Sequence, residues 1–231
     1  MKKIINYLEQ VKERINIKII AFFGGYLLFF IIIIVLLRVF GNNTSVNKEY
    51  EKGRTSLLEN KSLLSNNYYF DYKIKLDGIL YDYYGKKNGD IELFKYNNID
   101  YYKNSDGFFS NNNNIWLNTE NPYLFYELIN QENRNKIIES AYFLESNVDK
   151  TEYKYLISSN TINKLIYNLD TDAMEEANEI IVVMNGNRIV SKIIFNLNSL
   201  CKLNNTCENS LEIELNYESY NQVKEIDNPL S

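Results

Sequence analysis

The heptapeptide FDYKIKL, residues 70–76, alternates strictly between apolar and charged side chains. Because successive side chains of a β-strand point to opposite faces, this period of two predicts a strand that is buried on one face. The apolar side chains that would share the buried face are Phe70, Tyr72, Ile74 and Leu76.

Turn signals follow this strand at short intervals. Asp-Gly, Asn-Gly and Asn-Asn pairs recur between residues 77 and 114, and these residue types tolerate the positive φ angles of tight hairpin turns. The segments between them are rich in Tyr, Phe and Ile, which favour strands. We therefore predict an antiparallel meander of about five strands over residues 68–118.

The middle of the chain has helical features. Residues 121–144 begin with Asn121 as a candidate N-cap and Pro122 at the first helical position, which predicts a helix. A second short helix is predicted from Thr161. Between the two, TEYKYLIS at residues 151–158 has the alternation of a strand.

The C-terminal third returns to β structure. EIIVVMNGNRIVSKIIFNL, residues 179–197, predicts a hairpin around Asn185-Gly186, and LEIELNY at 211–217 alternates again. Two meanders with short helices inserted between them predict an α+β domain dominated by one curved antiparallel sheet.

The N-terminal part of the chain contains a long apolar run, IIAFFGGYLLFFIIIIVLLRVF at residues 19–40. About 20 apolar residues in a helix cross the hydrocarbon core of a membrane. A signal peptide has a shorter apolar region and a small-residue cleavage site, which the following sequence lacks. We therefore predict a permanent transmembrane helix.

This helix divides the chain into four parts. Residues 1–18 would be a cytoplasmic leader, 19–40 the membrane anchor, 41–66 a polar spacer with a short helix, and 67–229 a β-rich domain outside the cytoplasm. Five Lys and Arg precede the helix and four follow it closely, a bias that favours a cytoplasmic N-terminus in the cell membrane.

Charge is divided unevenly between the anchor and the domain. Residues 1–40 carry six basic and two acidic residues, a net charge of +4, whereas the remainder carries 19 basic and 28 acidic residues, a net charge of −9. An acidic domain is a poor match for the phosphates of nucleic acid. We therefore predict no nucleic acid as a partner, and the membrane as a partner only through the anchor helix.

Two cysteines, Cys201 and Cys207, are the chain's only ones. Their short spacing between two predicted strands is compatible with a disulfide, which would place the domain outside the cytosol. Two free thiols in a cytosolic loop are the alternative. A zinc site is not expected, because the chain has no His and no further Cys to complete a ligand set.

Few residues suggest reaction chemistry. Without His, the Ser-His-Asp and Cys-His arrangements are impossible, and no glycine-rich phosphate loop occurs. Ser199 and Lys202 have the S-x-x-K spacing but lack its companion motifs. An acidic stretch from Asp170 to Glu179 could attract Ca²⁺ but lacks the pattern of a calcium loop. We predict no catalytic residues, no metal site and no cofactor.

The order of these elements resembles the half-barrel lipoprotein carriers, the superfamily that includes LolA-type and LppX-type proteins. The matching pieces are YFDYKIKLDG (69–78) to NIWLN (114–118), then IIVVMNGNRIVSKIIFNL (180–197), then LEIELNYESY to NP (211–229). The resemblance implies a half-barrel whose concave face takes a lipid or a lipoprotein acyl chain. This chain differs because it has a predicted anchor helix where those proteins are soluble or carry a lipid on Cys.

Two functions follow from these observations. In the first, the concave face binds an apolar ligand, and the candidate lining residues are Phe70, Tyr72, Ile74 and Leu76. In the second, the same fold has a solid core, and the protein is a structural or interaction component of the cell envelope with a protein partner. An enzyme is the weakest of the hypotheses.

Overall fold

A computed structural model describes residues 60–170 and 177–230 of the chain. Its strands form one curved antiparallel sheet of eleven strands. The first meander consists of β1 (Asn67–Leu76), β2 (Ile79–Asn88), β3 (Ile91–Tyr96), β4 (Ile99–Asn104), β5 (Gly107–Asn112) and β6 (Ile115–Thr119). The second meander consists of β7 (Tyr142–Ser146), β8 (Glu152–Ser158), β9 (Ala177–Met184), β10 (Val190–Asn196) and β11 (Leu211–Glu218).

The two meanders join along the pair β1 and β11. The strand order is β6-β5-β4-β3-β2-β1-β11-β10-β9-β8-β7, so each strand lies beside its neighbour in sequence except at this central pair. Tyr72 is opposite Leu215 and Ile74 is opposite Ile213 in its register. The first and last strands of the domain therefore form the middle of the sheet, and β6 and β7 are its two edges.

Short helices lie between the strands. They are α1 (Lys61–Leu64), α2 (Tyr126–Ile129), α3 (Gln131–Ser140), α4 (Ser159–Ile162) with a π-helical turn (Asn163–Tyr167), and α5 (Asn198–Leu203). Their apolar residues, such as Ile137 and Leu200, belong to the same buried cluster as Ile74 and Ile193 of the sheet. We call the face of the sheet that packs on the helices the inner face and the opposite one the outer face.

Turn residues explain why the first meander forms. Asp77 has φ of 49° and Gly78 has φ of 85° between β1 and β2, and Asn97 and Asn98 have φ of 49° and 61° between β3 and β4. Both turns use the positive φ that Asn, Asp and Gly accept at low cost. The predicted meander is confirmed, with six strands rather than about five.

The helix predicted over residues 121–144 is wrong in its extent. The Asn121 side chain accepts a hydrogen bond from the backbone N–H of Tyr123 but starts no helix, and α2 begins at Tyr126 after a left-handed Phe125 with φ of 51°. Asn130 then ends α2 and caps α3 by accepting from the N–H of Asn133. The end of the predicted helix is strand β7.

The other predicted elements are present. The strand over 151–158 is β8, the helix from Thr161 overlaps α4 and its π-helical turn, and the hairpin at Asn185-Gly186 is formed by β9 and β10. Helix α5, in the connection that carries the cysteines, was not predicted.

The membrane segment predicted at residues 19–40 lies outside the described residues. Among residues 60–170 and 177–230, no helix is long and apolar enough to cross a membrane.

Candidate functional site

The four residues predicted to contact a ligand lie on β1 and point to the inner face. Phe70, Tyr72 and Ile74 are buried, with 4%, 6% and 0% of their surface exposed, and Leu76 packs against the same cluster at the strand end. The neighbours of these side chains are the protein's own core residues. Their contact with a ligand stays a prediction.

The largest opening that we describe, a groove of about 610 Å³, lies on the outer face of the first meander. It is lined by Tyr69, Phe70, Tyr84, Gly85, Lys86, Leu93, Phe94, Lys95, Asp100 and Trp116. We call it the outer groove. Its volume lies within the range of about 300–1,000 Å³ that is typical of small-molecule sites.

Strand register explains how the outer groove is built. Two rows of outward side chains cross the strands, one through Tyr84, Lys95 and Asp100 and the other through Lys86 and Leu93. Trp116 of β6 extends the first row, because it pairs with Asn111 of β5 and the register of β4 and β5 places Asn111 beside Asp100. The groove is the depression between the two rows.

A third row of residues, between the two outward rows, forms the floor of the outer groove. Phe70, Gly85 and Phe94 are register partners on β1, β2 and β3. A Cβ added to Gly85 would lie 2.4 Å from the carbonyl oxygen of Leu93 and 2.5 Å from the Cβ of Phe94. Glycine is therefore required here for the close approach of β2 and β3.

The outer groove combines aromatic surface with positive charge. Tyr69 and Tyr84 are largely exposed. Lys95 forms an ion pair with Asp100 at 3.6 Å, whereas Lys86 has no ion-pair partner among the described residues. An apolar molecule with one anionic end would match this arrangement.

The C-terminal tail, residues 219–230, closes one end of the outer face. Val223 and Ile226 pack on Tyr102, which is 1% exposed, together with Leu93 and Trp116. Asn67 holds the tail on both sides of Val223, because its side-chain amide donates to the carbonyl of Val223 and accepts from its N–H at 3.0 and 2.9 Å. The tail thereby helps to position Trp116.

The inner face of the first meander carries a buried charge cluster. Lys87 and Lys103 each donate to one oxygen of Glu92 at 2.9 Å, and the Tyr123 hydroxyl donates to the other oxygen at 3.2 Å. We call these four side chains the Glu92 cluster. Burial would raise the pKa of Glu92, but the two ammonium groups outweigh burial and hold that pKa below its ordinary value.

The two lysines of the cluster are correspondingly stabilised as cations. Burial lowers the pKa of each, but the nearby Glu92 carboxylate more than offsets this, so both pKa values lie above the ordinary value. Lys103 also lies 5.3 Å from the ring centre of Tyr126 and 5.7 Å from that of Phe108, distances at which a cation is attracted by an aromatic face.

A chamber of about 70 Å³ adjoins the Glu92 cluster. It is lined by Tyr68, Tyr72, Lys87, Glu92, Tyr123, Tyr126, Ile129, Asn130 and Gln131. We call it the inner chamber. Its volume has room for a few water molecules or one small polar group, and it is far too small for a lipid.

Arg134 of α3 is buried among tyrosines and is 2% exposed. Its guanidinium donates to the hydroxyl of Tyr217 at 2.6 Å and to the carbonyl of Leu63 at 2.9 Å. Burial would lower its pKa, but the electron-rich oxygens of Tyr217, Tyr68 and Tyr72 hold it above the ordinary value. No carboxylate contacts this guanidinium among the described residues.

The cysteines form the predicted disulfide. Cys201, in α5, is bonded to Cys207 with the two Cα atoms 5.3 Å apart, and Cys201 is fully buried. The bond closes the connection between β10 and β11.

The acidic stretch considered for Ca²⁺ is described only at its ends. Asp170 pairs with Lys164 at 3.0 Å, and Glu179 accepts a hydrogen bond from the Asn196 amide at 3.0 Å. The residues between 170 and 177 lie outside the described residues. Among those that are described, no group of three or more candidate ligands could hold a metal ion.

The residues with the most distinctive chemistry were not predicted from the sequence. Glu92, Lys87 and Lys103 belong to three strands and are brought together by the register of β2, β3 and β4. A partial signal existed, because each lies at an inward position of its strand, where a charged side chain is unexpected. Arg134 had no such signal. The predicted helix over residues 121–144 included it, but with the wrong bounds the buried side of the helix could not be identified.

Comparisons with known proteins find similarity in structure alone. No protein-family model matches the chain, and no curated protein matches its sequence. The structure is similar to lipoprotein LppX of Mycobacterium tuberculosis (10% identity, TM-score 0.44), over 77% of this chain and 99% of that one. It is also similar to LprF of Mycobacterium bovis (8% identity, TM-score 0.39), over 78% of this chain and 97% of that one. The first of these neighbours, LppX, is of the type that the sequence resembles.

Proposed function

We propose that this chain is a membrane-anchored binding protein that acts outside the cytoplasm and holds an amphipathic molecule, with an apolar chain and an anionic end, in the outer groove. The observation that carries the proposal is the groove of about 610 Å³ between two rows of outward side chains. The apolar chain would lie across the strands, against Tyr84, Leu93 and Trp116. The anionic end would be placed at Lys86.

The proposed ligand lies on the outer face of the sheet, whereas the residues predicted from the sequence to line a ligand site point to the inner face. The inner face next to Tyr72 and Ile74 is occupied by buried side chains of the helices, and the inner chamber of about 70 Å³ is too small for an acyl chain. Phe70 lines the outer groove while its ring packs in the core. Of the four residues predicted to line a ligand site, Phe70 is therefore the one that lines the outer groove.

The proposed location draws support from the disulfide. A bond between Cys201 and Cys207 persists in oxidising compartments and is rare in the cytosol. The apolar run at residues 19–40 supplies the anchor in this proposal. Labelling the full-length chain in intact cells with a membrane-impermeant amine reagent tests the location, because the surface lysines of the domain react only if it lies outside.

Trp116 offers a direct test of ligand binding. It is the only tryptophan of the chain and lines the outer groove. With the full-length chain in lipid nanodiscs, we expect a dibrominated fatty acid to quench Trp116 fluorescence in a saturable way. Tyr84→Ala should weaken this binding, because it removes an aromatic wall of the groove.

A matched control is Tyr142→Ala. Tyr142 lies on β7 at the far edge of the sheet and is 76% exposed, so its loss should leave quenching unchanged. Quenching that rises linearly without saturation, or that is the same in Tyr84→Ala and the parent chain, would reject the outer groove as a ligand site.

The second candidate function is a protein-interaction role in the envelope, and the β6 edge favours it. Ile115 and Leu117 of β6 are 62% and 50% exposed, and the strand carries no charge. Such an edge can accept a strand from another chain. Photo-crosslinking from position 117 in cells tests this role, and the absence of any specific crosslinked protein would exclude it.

A further inference from the structure

The buried region between the helices and the inner face around β1 and β11 carries more positive than negative charge. The Glu92 cluster contains two lysines and one carboxylate, and the Arg134 guanidinium is buried without a carboxylate contact in the part of the chain that the structure describes. Buried charges are costly unless an opposite charge compensates them. A further anion beside these groups would compensate the excess positive charge.

The inner chamber is the place where such an anion would fit. Lys87 lines it and uses one of its three N–H donors for Glu92 at 2.9 Å. The Tyr68 hydroxyl accepts a hydrogen bond from Tyr72 at 3.4 Å and retains its own proton to donate. The volume of the inner chamber, about 70 Å³, exceeds that of one water molecule and suits one tetrahedral oxyanion.

The Glu92 carboxylate also lines the chamber, but its oxygens are already occupied. One oxygen accepts from both lysines and the other accepts from Tyr123. Its single negative charge is outnumbered by Lys87, Lys103 and the nearby Arg134. A ligand in the chamber would therefore be surrounded by net positive charge and by hydroxyl and ammonium hydrogen-bond donors.

We propose that the inner chamber binds a small oxyanion, a phosphate group held by Lys87 and the Tyr68 hydroxyl. The phosphate is either free in solution or the exposed end of a larger molecule, since both present the same oxygens. This site is on the opposite face of the sheet from the outer groove and stands independently of it.

The test is calorimetric titration of the full-length chain, in detergent at constant ionic strength, with inorganic phosphate. We expect one phosphate to bind per chain. Lys87→Met should weaken binding about tenfold or more, because it removes a charge-assisted hydrogen bond. Glu92→Gln should tighten binding, because the two lysines then lack their carboxylate. Failure of phosphate to bind the parent chain would overturn the proposal.

Matched controls distinguish binding in the chamber from a general effect of removing one positive charge. Lys75→Met removes a lysine that pairs with Glu212 at 2.6 Å on the exposed surface, and it should bind phosphate like the parent chain. Equal weakening in Lys75→Met and Lys87→Met would overturn the proposal. If Lys87→Met does not fold, Tyr68→Phe removes a chamber hydroxyl without changing charge, and unchanged binding in that variant would overturn the proposal equally.

Two further measurements define what binds. Quenching of Trp116 by the dibrominated fatty acid should persist in Lys87→Met, so loss of one site is distinguished from loss of the other. Glycerol phosphate, titrated in the same way, distinguishes the sources of the phosphate group: tighter binding than inorganic phosphate indicates the end of a larger molecule, and weaker binding indicates the free ion.

Discussion

The two meanders of this sheet fill their inner faces with different side chains. In the second meander most buried side chains are aliphatic, and Ile180, Val182 and Ile193 are fully buried in one cluster with aliphatic residues of the helices. In the first, the equivalent positions hold Tyr83, Phe94 and other aromatic residues, together with the buried charges of the Glu92 cluster.

This difference indicates which half of the sheet has room for a ligand. Aliphatic side chains have no polar atoms to satisfy, so they fill space completely and leave a solid support. Tyrosines bring hydroxyls that need partners, and their stiff rings do not fill every gap. Both openings described above, the outer groove and the inner chamber, lie in the first meander.

The largest effect is expected in the second meander. Phe195→Ala should lower the free energy of unfolding by about 3–5 kcal/mol, because it leaves a cavity in a closely packed region. Phe195 is 1% exposed. Urea unfolding followed by circular dichroism measures the change. Val148→Ala, at a residue that is 98% exposed, is the control and should change stability by less than about 0.5 kcal/mol. Equal effects would contradict the assignment of a solid core.

The next effect tests the charged half. Glu92→Gln should lower the free energy of unfolding by about 3 kcal/mol, because two lysines in the interior lose their counter-charge. Glu212→Gln is the matched control at the exposed pair with Lys75 and should cost less than about 0.5 kcal/mol. A loss for Glu92→Gln as small as that of the control would show that solvent, rather than the carboxylate, compensates the lysines.

A smaller effect compares one tyrosine from each half. The Tyr83 hydroxyl donates to the carbonyl of Pro122 at 3.1 Å and accepts from the N–H of Leu124 at 3.2 Å, whereas the buried Tyr155 hydroxyl has no hydrogen-bond partner within the described residues. Tyr83→Phe should destabilise by about 1–2 kcal/mol, and Tyr155→Phe should be neutral or stabilising. Thermal unfolding of both variants checks the sign, and a loss in Tyr155→Phe would reveal a partner for that hydroxyl.

The smallest effect concerns the contact between the two halves. The Asp77 carboxylate accepts hydrogen bonds from the backbone N–H groups of Glu208, Asn209 and Ser210 at 2.9, 2.7 and 3.0 Å, and these bonds lower its pKa. Because the folded-state pKa is the lower one, its stabilisation is complete above the unfolded-state value of about 3.9 and is lost as pH falls through the folded-state value.

Asp77→Asn should therefore remove part of the acid dependence of unfolding between neutral pH and pH values below the ordinary Asp range. Midpoints of thermal unfolding as a function of pH measure this. Asp106→Asn, at another turn of the first meander, serves as the control because the Asp106 carboxylate accepts no backbone N–H among the described residues. Parallel pH profiles for the parent chain and Asp77→Asn would refute the role of Asp77.

The strands and their buried faces could be predicted from local sequence patterns. Strict alternation in FDYKIKL and LEIELNY placed Tyr72, Ile74 and Leu215 on the same face, because a period of two allows no other arrangement of a strand with one buried side. The Asn, Asp and Gly turns determined the hairpins, since few residue types accept positive φ. The short spacing of Cys201 and Cys207 allowed their pairing to be predicted.

What the two faces of the sheet contact could not be predicted from the sequence, because it depends on the packing of distant segments. Whether Phe70, Tyr72 and Ile74 line a cavity or a core depends on how closely the helices approach, and no local pattern reports that distance. The Glu92 cluster arises from the register of three strands, and the outer groove arises from two rows of side chains that are dispersed along the sequence. Both sites exist because the sheet places distant residues side by side, which is a property of pairing and packing rather than of any single segment.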